Sequence, residues 1–407
     1  MKSTVLDLGK EIYLVHTDSS SEVVHLGLMV GIGSRNDDRL LSGISHFVEH
    51  MWFKGTQKRN STKIIEDIER FGGDFNAYTS KEETCVYVSI LKDYSDVAFD
   101  VLSDIFLNST FPEVEINKER DVICDEIDSY EDSPSELIFD HFEERFFGGF
   151  DLSLPVLGSK ESLEAIDSGK MGGFYNETFL NAKLVISFVG NLACDEVLCK
   201  IKSLFCSERI ESSVLKSNPD LLLGSRFDFS DKKKTTQSHC LLGCNAYSWG
   251  DPRRLTLSFL NNIIGGPQMS SLLSLLLREN NGLTYSVDSN FTSFLDAGLF
   301  TIYFGTDKKN VDKCLDLLKS EFYRICHSSL ISDKLDDYKN QMLGQLALSY
   351  ENNQNIMLSQ AKSVMVYGKV DTFSELSIKV KSISSLQLLD VANDVLCFEK
   401  MSLLKYC

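Results

Sequence analysis

The stretch GISHFVEHMWFKGT occupies residues 43–56 and carries the most informative pattern in the chain. Its composition predicts a short helix from Ser42 to Phe53, followed by a glycine stop. His46 and His50 are four residues apart, so on a helix both project from one face, one turn apart. Two imidazoles at that spacing can bind one metal ion. Glu49 lies on the edge of the same face, where its carboxylate can accept a proton from a water molecule.

A second segment, NKERDVICDEIDSYEDS at 117–133, is predicted to supply a third ligand. A catalytic zinc ion takes three protein ligands and one exchangeable ligand. A run of acids is normally only a solvated helix face, but Glu119 and Glu126 are seven residues apart and share a face with Val122 and Ile123. A carboxylate among apolar side chains is costly unless it is paired or metal-bound. Glu126 is therefore predicted as a metal ligand and Glu119 as the acid that orients a ligand histidine.

Further motifs lie on both sides of these two segments. The chain has GGDFNAYTSKEET at 72–84, TTQSHCLLG at 235–243, IIGGPQMSSLL at 263–273 and LLRENNGLTYSV at 276–287. Together with the H-x-x-E-H order of the first motif, these stretches resemble the pitrilysin-type, or inverzincin, family of zinc metallopeptidases. The resemblance covers nearly the whole chain and is greatest to the mitochondrial processing peptidase β subunit and its single-chain bacterial relatives.

The resemblance implies an α+β fold with two similar α/β halves, each a mixed sheet with helices packed on one side, enclosing a chamber. It implies one zinc ion per chain on the first half. It assigns the zinc ligands to His46, His50 and Glu126, the general base to Glu49, and the orienting acid to Glu119.

The same resemblance implies how a substrate is bound. It assigns contacts with the substrate backbone to Phe75, Asn76 and Ala77. Arg278 and Tyr285, which lie seven residues apart in the second half, would hold the substrate carbonyl. The implied activity is a zinc-dependent endopeptidase acting on unfolded peptides or presequence-like segments.

The order of predicted elements supports two similar domains. Alternation from Val24 to Ile32 predicts a strand with an apolar face and a glycine-containing face, which would let a helix approach closely. Strands and helices then follow in an order that recurs about 210 residues later. We therefore expect a zinc-bearing domain at 1–210, a linker at 211–224 and a similar domain at 225–407 that completes the active site. Residues 332–366 are predicted to form a helical hairpin.

Composition limits the expected partners. The chain has 59 Asp and Glu against 41 Lys and Arg, a formal net charge of −18, which argues against nucleic acid and leaves a preference for basic peptides open. No apolar run approaches the roughly 18 residues that span a bilayer, and the first residues do not resemble a signal peptide. The 11 cysteines form no CxxC pair. We therefore expect reduced thiols, a cytoplasmic location and no membrane partner.

Two other functions remain open at this point. Some proteins with this fold are non-catalytic or partner-dependent subunits of processing-peptidase-like complexes. A metal-binding protein without turnover is the second alternative. A homodimer is also left open.

Overall fold

The computed structural model describes residues 2–205, 224–233, 235–328 and 331–407. By their contacts these residues form two compact units. The first contains 2–128, the described residues of 154–205, and 348–372. The second contains 129–153, the described residues of 224–347, and 373–407. The predicted linker lies outside the described residues except for Gly224, and the predicted domain boundaries stay a prediction.

The described residues form eleven strands and fourteen α-helices, which follow one another in groups along the chain. The strands are β1 Ser3–Asp7, β2 Ile12–Asp18, β3 Val23–Val30, β4 Asp74–Thr79, β5 Thr84–Leu91, β6 Leu184–Gly190, β7 Asp228–Asp231, β8 Ser238–Asn245, β9 Thr284–Ser293, β10 Gly298–Thr306 and β11 Ser402–Tyr406. The helices are α1 Ile44–Met51, α2 Ser61–Glu69, α3 Ser95–Leu107, α4 Glu113–Glu131, α5 Pro134–Phe146, α6 Lys160–Glu164, α7 Ser168–Glu177, α8 Cys194–Phe205, α9 Arg254–Gly265, α10 Val311–His327, α11 Leu335–Ser349, α12 Asn353–Tyr367, α13 Phe373–Ser382 and α14 Ser385–Val395.

The two units contain sheets with the same strand order. The first is six-stranded, β1-β2-β6-β3-β5-β4, and the second is five-stranded, β7-β11-β8-β10-β9. In the first sheet β2 is parallel to β6 and the other neighbours are antiparallel. In the second sheet β7 is parallel to β11 and the other neighbours are antiparallel. The prediction of two similar α+β halves is therefore confirmed, and β4 and β9 are the equivalent edge strands.

Strand β3 has the two faces that its alternating residues predict. Its apolar face is buried in the core of the first unit, against helices that include α1 and α3, through Val24, Leu26, Leu28 and Val30. On its other face Gly27 contacts α12, and a Cβ at Gly27 would lie 2.4 Å from the Sδ atom of Met357. The close approach of a helix to this glycine is thus confirmed.

Polar contacts fix α12 on this face of the first sheet. The Ser187 hydroxyl donates to the Met357 carbonyl at 2.8 Å. The Lys183 ammonium donates to the carbonyls of Val364 and Met365, at 3.0 and 2.8 Å. These carbonyls lie in the last turn of α12, where intrahelical partners run out; the Val364 carbonyl also accepts from the Gly368 amide at 3.0 Å. Cations are also favoured at a helix C-terminus.

The helical stretches after residue 260 follow their sequence pattern with one local departure. The segment Met269–Glu279 has the apolar pattern of a single helix, but helical structure begins only at Leu272. Over Ser274–Glu279 the turns are wider, as shown by the hydrogen bond from the Asn280 amide to the Leu275 carbonyl at 3.0 Å. The predicted hairpin at 332–366 is resolved into α11 and α12, and α12 packs on the first sheet.

Two negative expectations concern the environment of the protein. Among the described helices, none combines the length and the apolar character needed to cross a membrane. Every cysteine among the described residues is a free thiol. The cytoplasmic location stays a prediction.

The contact between Gly27 and α12 predicts an effect on stability. We expect Gly27→Ala to lower the free energy of unfolding by about 1–3 kcal/mol, because the added methyl group overpacks against Met357. Urea unfolding measures the change, and Met357→Ala in the same protein should restore part of it. Gly172→Ala in α7 is the control, since a Cβ there meets open space. Equal stability of Gly27→Ala and the wild type would contradict the packing described.

Candidate metal centre

The N-terminus of α1 is fixed by a buried carboxylate. Asp37 accepts hydrogen bonds from the Gly43 amide at 2.8 Å, the Ser45 amide at 3.3 Å and the Ser45 hydroxyl at 2.6 Å. Gly43, rather than the predicted Ser42, is the N-cap, with a φ of 91°. A Cβ on Gly43 would lie 2.6 Å from the Leu157 carbonyl oxygen, so this position favours glycine on both counts. An anion at a helix N-terminus is also favoured by the helix dipole.

His46, His50 and Glu126 bring three donor atoms together, all within 4.8 Å of one another. The Nε2 atoms of His46 and His50 lie 3.9 and 3.6 Å from Glu126 Oε2. Zinc bonds of about 2.0–2.2 Å in tetrahedral geometry place ligand atoms about 3.4 Å apart. The two histidine–carboxylate distances exceed this value by 0.2–0.5 Å, so the set can hold zinc after a small approach of the side chains. His46 is buried and Glu126 is exposed, so one side of the centre faces solvent.

Glu119 orients the second histidine. Its Oε2 lies 3.1 Å from His50 Nδ1, and its Oε1 is paired with the Lys54 ammonium. In the neutral tautomer of His50, the Nδ1–H group donates a hydrogen bond to this carboxylate, which leaves the Nε2 lone pair for a metal ion. This geometry is the one that the predicted role of Glu119 requires, and the role stays a prediction.

The electrostatics of the histidine pair suit a divalent cation. Burial lowers the pKa of His46 to about 4, and the nearby His50 charge adds to this effect. Burial also acts to lower the pKa of His50, but hydrogen bonds to Glu119 and Glu126 outweigh it and raise that pKa to about 9. The hydrogen bond from His50 lowers the pKa of Glu126. His46 is thus a neutral ligand, while His50 lies between two ionised carboxylates that attract positive charge.

Glu49 is held beside this centre by strand β4. The Thr79 hydroxyl donates to Glu49 Oε2 at 2.6 Å. Burial raises the pKa of Glu49 above its ordinary value. A carboxylate with a raised pKa is a stronger base, so this residue is well suited to accept a proton.

The predicted face of α4 needs one correction. Ile123 is buried, but Val122 is 49% exposed, and the Glu126 side chain is 45% exposed. Successive helix residues turn by about 100°, so Ile123 and Ile127 lie on one side of Glu119, and Glu126 and Val122 lie on the other. The cost of burial among apolar residues therefore applies to Glu119, which is 6% exposed. Glu126 lies at the solvent edge.

Three residues of the centre were not predicted from the sequence. Lys54 neutralises Glu119, Thr79 binds Glu49, and Asp37 caps α1. Lys54 is four residues after His50, and a search at helical spacing could have found it. Asp37 and Thr79 lie in a loop and a strand, where sequence spacing does not determine the contact.

The predicted substrate-binding residues lie on β4, the edge strand of the first sheet. Asn76 is exposed, while Phe75 and Ala77 are partly buried. The Phe75 ring packs against the Phe53 ring, with 4.8 Å between the ring centroids. An edge strand leaves alternate amides and carbonyls without a strand partner. These groups are available to a peptide, but their use by a substrate stays a prediction.

Arg278 and Tyr285 both belong to the second unit. Arg278 lies in the segment Ser274–Glu279, and its Nε is 3.5 Å from Glu279 Oε1. Tyr285 is the second residue of β9 and is 84% exposed. The turn predicted between them is present, with Gly282 at a φ of 60°. Their role towards a substrate stays a prediction.

Comparison with known proteins identifies the family. Residues 13–160 match the family model described as Insulinase (Peptidase family M16), and residues 166–342 match the one described as Peptidase M16 inactive domain. The chain belongs to peptidase family M16. The M16 match at 13–160 contains every residue of the candidate metal centre. The pitrilysin-type resemblance is thus confirmed, while particular closeness to the processing peptidase β subunit stays a prediction.

Individual M16 relatives and structures agree with this assignment. The chain is 33% identical to "Uncharacterized zinc protease YmxG" of Bacillus subtilis, over 89% of this chain and 87% of the relative. It is 30% identical to "Uncharacterized zinc protease SCO5738" of Streptomyces coelicolor, over 97% of this chain and 87% of the relative. The fold matches a crystal structure titled as a peptidase M16 inactive domain from Pseudomonas fluorescens, with a TM-score of 0.91, 18% identity and coverage of 100% and 98%. A protease from Helicobacter pylori matches with a TM-score of 0.89, 17% identity and coverage of 100% and 99%.

The contact between Glu119 and His50 predicts an effect on metal affinity. We expect Glu119→Gln to weaken zinc binding by about 10–100-fold, because the His50 ring loses its charged acceptor. Competition with a chromophoric chelator measures the affinity. Asp121→Asn, an exposed change on the same helix, is the control and should bind zinc as the wild type does. Unchanged affinity in Glu119→Gln would remove Glu119 from the centre.

Proposed function

We propose that this M16 protein is a zinc-dependent endopeptidase that hydrolyses peptide bonds in extended, unfolded segments. The observation that carries this proposal is that donor atoms of His46, His50 and Glu126 lie within 4.8 Å of one another. Glu49 lies on the same helix as the two histidines. The names of its relatives, which are called zinc proteases, support zinc as the metal. We further propose one zinc ion per chain.

The residues of the centre have separate roles in this reaction. His46, His50 and Glu126 would hold the zinc ion, and Glu119 would keep the His50 ring in its binding orientation. Zinc, when bound, polarises a carbonyl group and lowers the pKa of water. Glu49 would accept the proton of the attacking water and pass it to the leaving amine.

Strand β4 suggests how a substrate would be bound. An extended peptide can pair with the free edge of β4 through main-chain hydrogen bonds. Such pairing depends on backbone groups more than on side chains, so we propose broad sequence tolerance. It also requires an unfolded segment, because the backbone of a folded protein is already paired. The net charge of −18 would favour the capture of basic peptides at low salt.

The non-catalytic alternatives are less well supported. A subunit that only binds a partner has no need of a metal site, whereas here both histidines, the third ligand and the base are all present. A metal-binding protein without turnover needs no base, whereas Glu49 is held in a defined orientation beside the ligands. Both alternatives predict a folded protein that does not hydrolyse peptides, and the second also predicts zinc binding. Activity measurements on the zinc-loaded protein separate them from the proposal.

The role of Glu49 predicts a loss of activity without loss of metal. We expect Glu49→Gln to lower kcat by at least about 10²–10⁴-fold, because an amide does not accept the proton. A quenched fluorescent peptide measures kcat, and elemental analysis should still find one zinc per chain. Glu66→Gln, an exposed change on α2, is the control. Near-wild-type kcat in zinc-loaded Glu49→Gln would exclude it as the base, and an inactive zinc-loaded wild type would favour a non-catalytic protein.

Arg278 and Tyr285 give a separate prediction for the second unit. We propose that both side chains donate hydrogen bonds to the substrate carbonyl, and removal of one such donor costs about 10²–10³ in kcat. Tyr285→Phe should therefore lose activity while zinc content and melting temperature are unchanged, since this side chain is 84% exposed. Tyr323→Phe is the control, because Tyr323 is also an exposed tyrosine of the second unit. Activity within twofold of the wild type in both Tyr285→Phe and Arg278→Ala would make the two residues structural.

A further inference from the structure

The hydrogen bond between Thr79 and Glu49 carries an inference beyond the metal ligands and the base. Thr79 Oγ1 lies 2.6 Å from Glu49 Oε2 and 3.4 Å from Thr84 Oγ1. A hydroxyl has one proton to donate, and the shorter, charge-assisted contact is the stronger one. The Thr84 hydroxyl donates to the Ile32 carbonyl at 2.9 Å, so it does not compete for Glu49. The proton of Thr79 is therefore committed to one oxygen of the Glu49 carboxylate.

The other oxygen of Glu49 is left for water. Among the contacts of the described residues, Oε1 makes no hydrogen bond. The terminal torsion of a glutamate is broad and nearly two-fold, so a carboxylate without a fixed partner samples many orientations. A single hydrogen bond to Oε2 restricts this torsion. We propose that Thr79 is a positioning residue, which fixes one oxygen of Glu49 so that the other is presented to the attacking water.

The turn after Thr79 explains why its hydroxyl can act as a fixed reference. The Ser80 amide donates to the Glu83 carbonyl at 2.8 Å, which closes the turn between β4 and β5. The three charged residues of this turn, Lys81, Glu82 and Glu83, are all less than 9% exposed.

Each of the three charges of the turn has a partner from a different segment. The Lys81 ammonium donates to the Leu154 carbonyl at 2.6 Å, and Glu82 pairs with Arg35. Glu83 pairs with Lys362 of α12. Buried charges that are paired with three separate segments hold a turn more firmly than backbone hydrogen bonds alone, because displacing the turn would leave them unpaired. Thr79 is directly next to this turn.

The position of Thr79 on β4 gives the contact a consequence for substrate orientation. The strand that would pair with the substrate backbone also carries the hydroxyl that orients the base. One rigid element therefore sets the register of the peptide and the direction of Glu49. The positioning role of Thr79 as a whole rests on the proposed function.

Kinetic measurements on two Thr79 variants test the proposal. Thr79→Val keeps the shape of the side chain and removes the donor, and it should lower kcat roughly tenfold or more, the effect expected of a hydrogen bond to a charged group. KM should stay within about twofold and zinc content should be unchanged, since neither strand pairing nor the ligands are altered. Thr79→Ser keeps the hydroxyl and should restore most of the lost kcat. Thr84→Val is the matched control, because it removes the hydroxyl of the paired residue without touching Glu49.

A second measurement needs no activity. In metal-free protein, Thr79→Val should lower the melting temperature more in the wild-type background than in a Glu49→Ala background, because only the former still has the acceptor. Equal lowering in both backgrounds would show that the hydrogen bond contributes nothing and would overturn the inference.

The outcomes separate this inference from the proposed function. If the wild type is active, Glu49→Gln is inactive and Thr79→Val matches the wild type in kcat, the positioning role is wrong and the proposed function stands. If the zinc-loaded wild type has no activity, both are wrong. A drop in kcat that Thr79→Ser does not restore would also contradict the positioning role, since the hydroxyl would then not be the cause.

Discussion

The hydrogen bond between His50 and Glu119 joins the two helices whose side chains form the candidate metal centre. Without it the His50 ring on α1 would lose the acceptor that fixes its orientation, and the buried Glu119 of α4 would keep only Lys54 as a partner. Lys54 completes the arrangement by pairing with the second oxygen of Glu119. The buried Glu119 carboxylate thus lies between the Lys54 ammonium and the His50 imidazole, and His50 in turn faces the solvent-exposed Glu126. The remaining contacts of the site, from the Asp37 cap to the Thr79 hydroxyl, hold α1 and Glu49 in register with this pair.

The two sheets show that a shared architecture does not carry shared chemistry. Across the sheets, the order β2-β6-β3-β5-β4 of the first matches the order β7-β11-β8-β10-β9 of the second. The segment ISHFVEHM forms α1, whereas the sequence RLTLSFLNNIIG of α9 contains neither histidine nor acid. The donor set described lies within the M16 match at 13–160, and the inactive-domain match covers 166–342. Function therefore has to be argued from the side chains of α1 and α4, not from the fold.

The sequence predicted local features well and distant partners poorly. Helix α1 and the buried side of β3 follow from residue types and periodicity, because these depend on neighbours along the chain. The interest of residues 75–77 on β4 came instead from the family resemblance. The glycine in β3 indicated that a helix comes close, but not that it would be α12, over 300 residues later. The same limit applies to Thr79, whose partner is 30 residues away. Val122 was predicted on the face of Glu119 by its helical spacing, but the buried side of α4 is centred on Ile123 and Ile127, and Val122 lies about 100° from Ile123.

Anomalous X-ray diffraction at the zinc edge, on crystals of the zinc-loaded protein, tests the central claim most directly, because it locates the metal without reference to activity. The account predicts one strong peak in the first unit of each chain, bounded by the Nε2 atoms of His46 and His50 and by a carboxylate oxygen of Glu126, with Glu119 outside the ligand set. A peak ligated by Glu119 in place of Glu126, or no peak between α1 and α4 in zinc-loaded crystals, would contradict it.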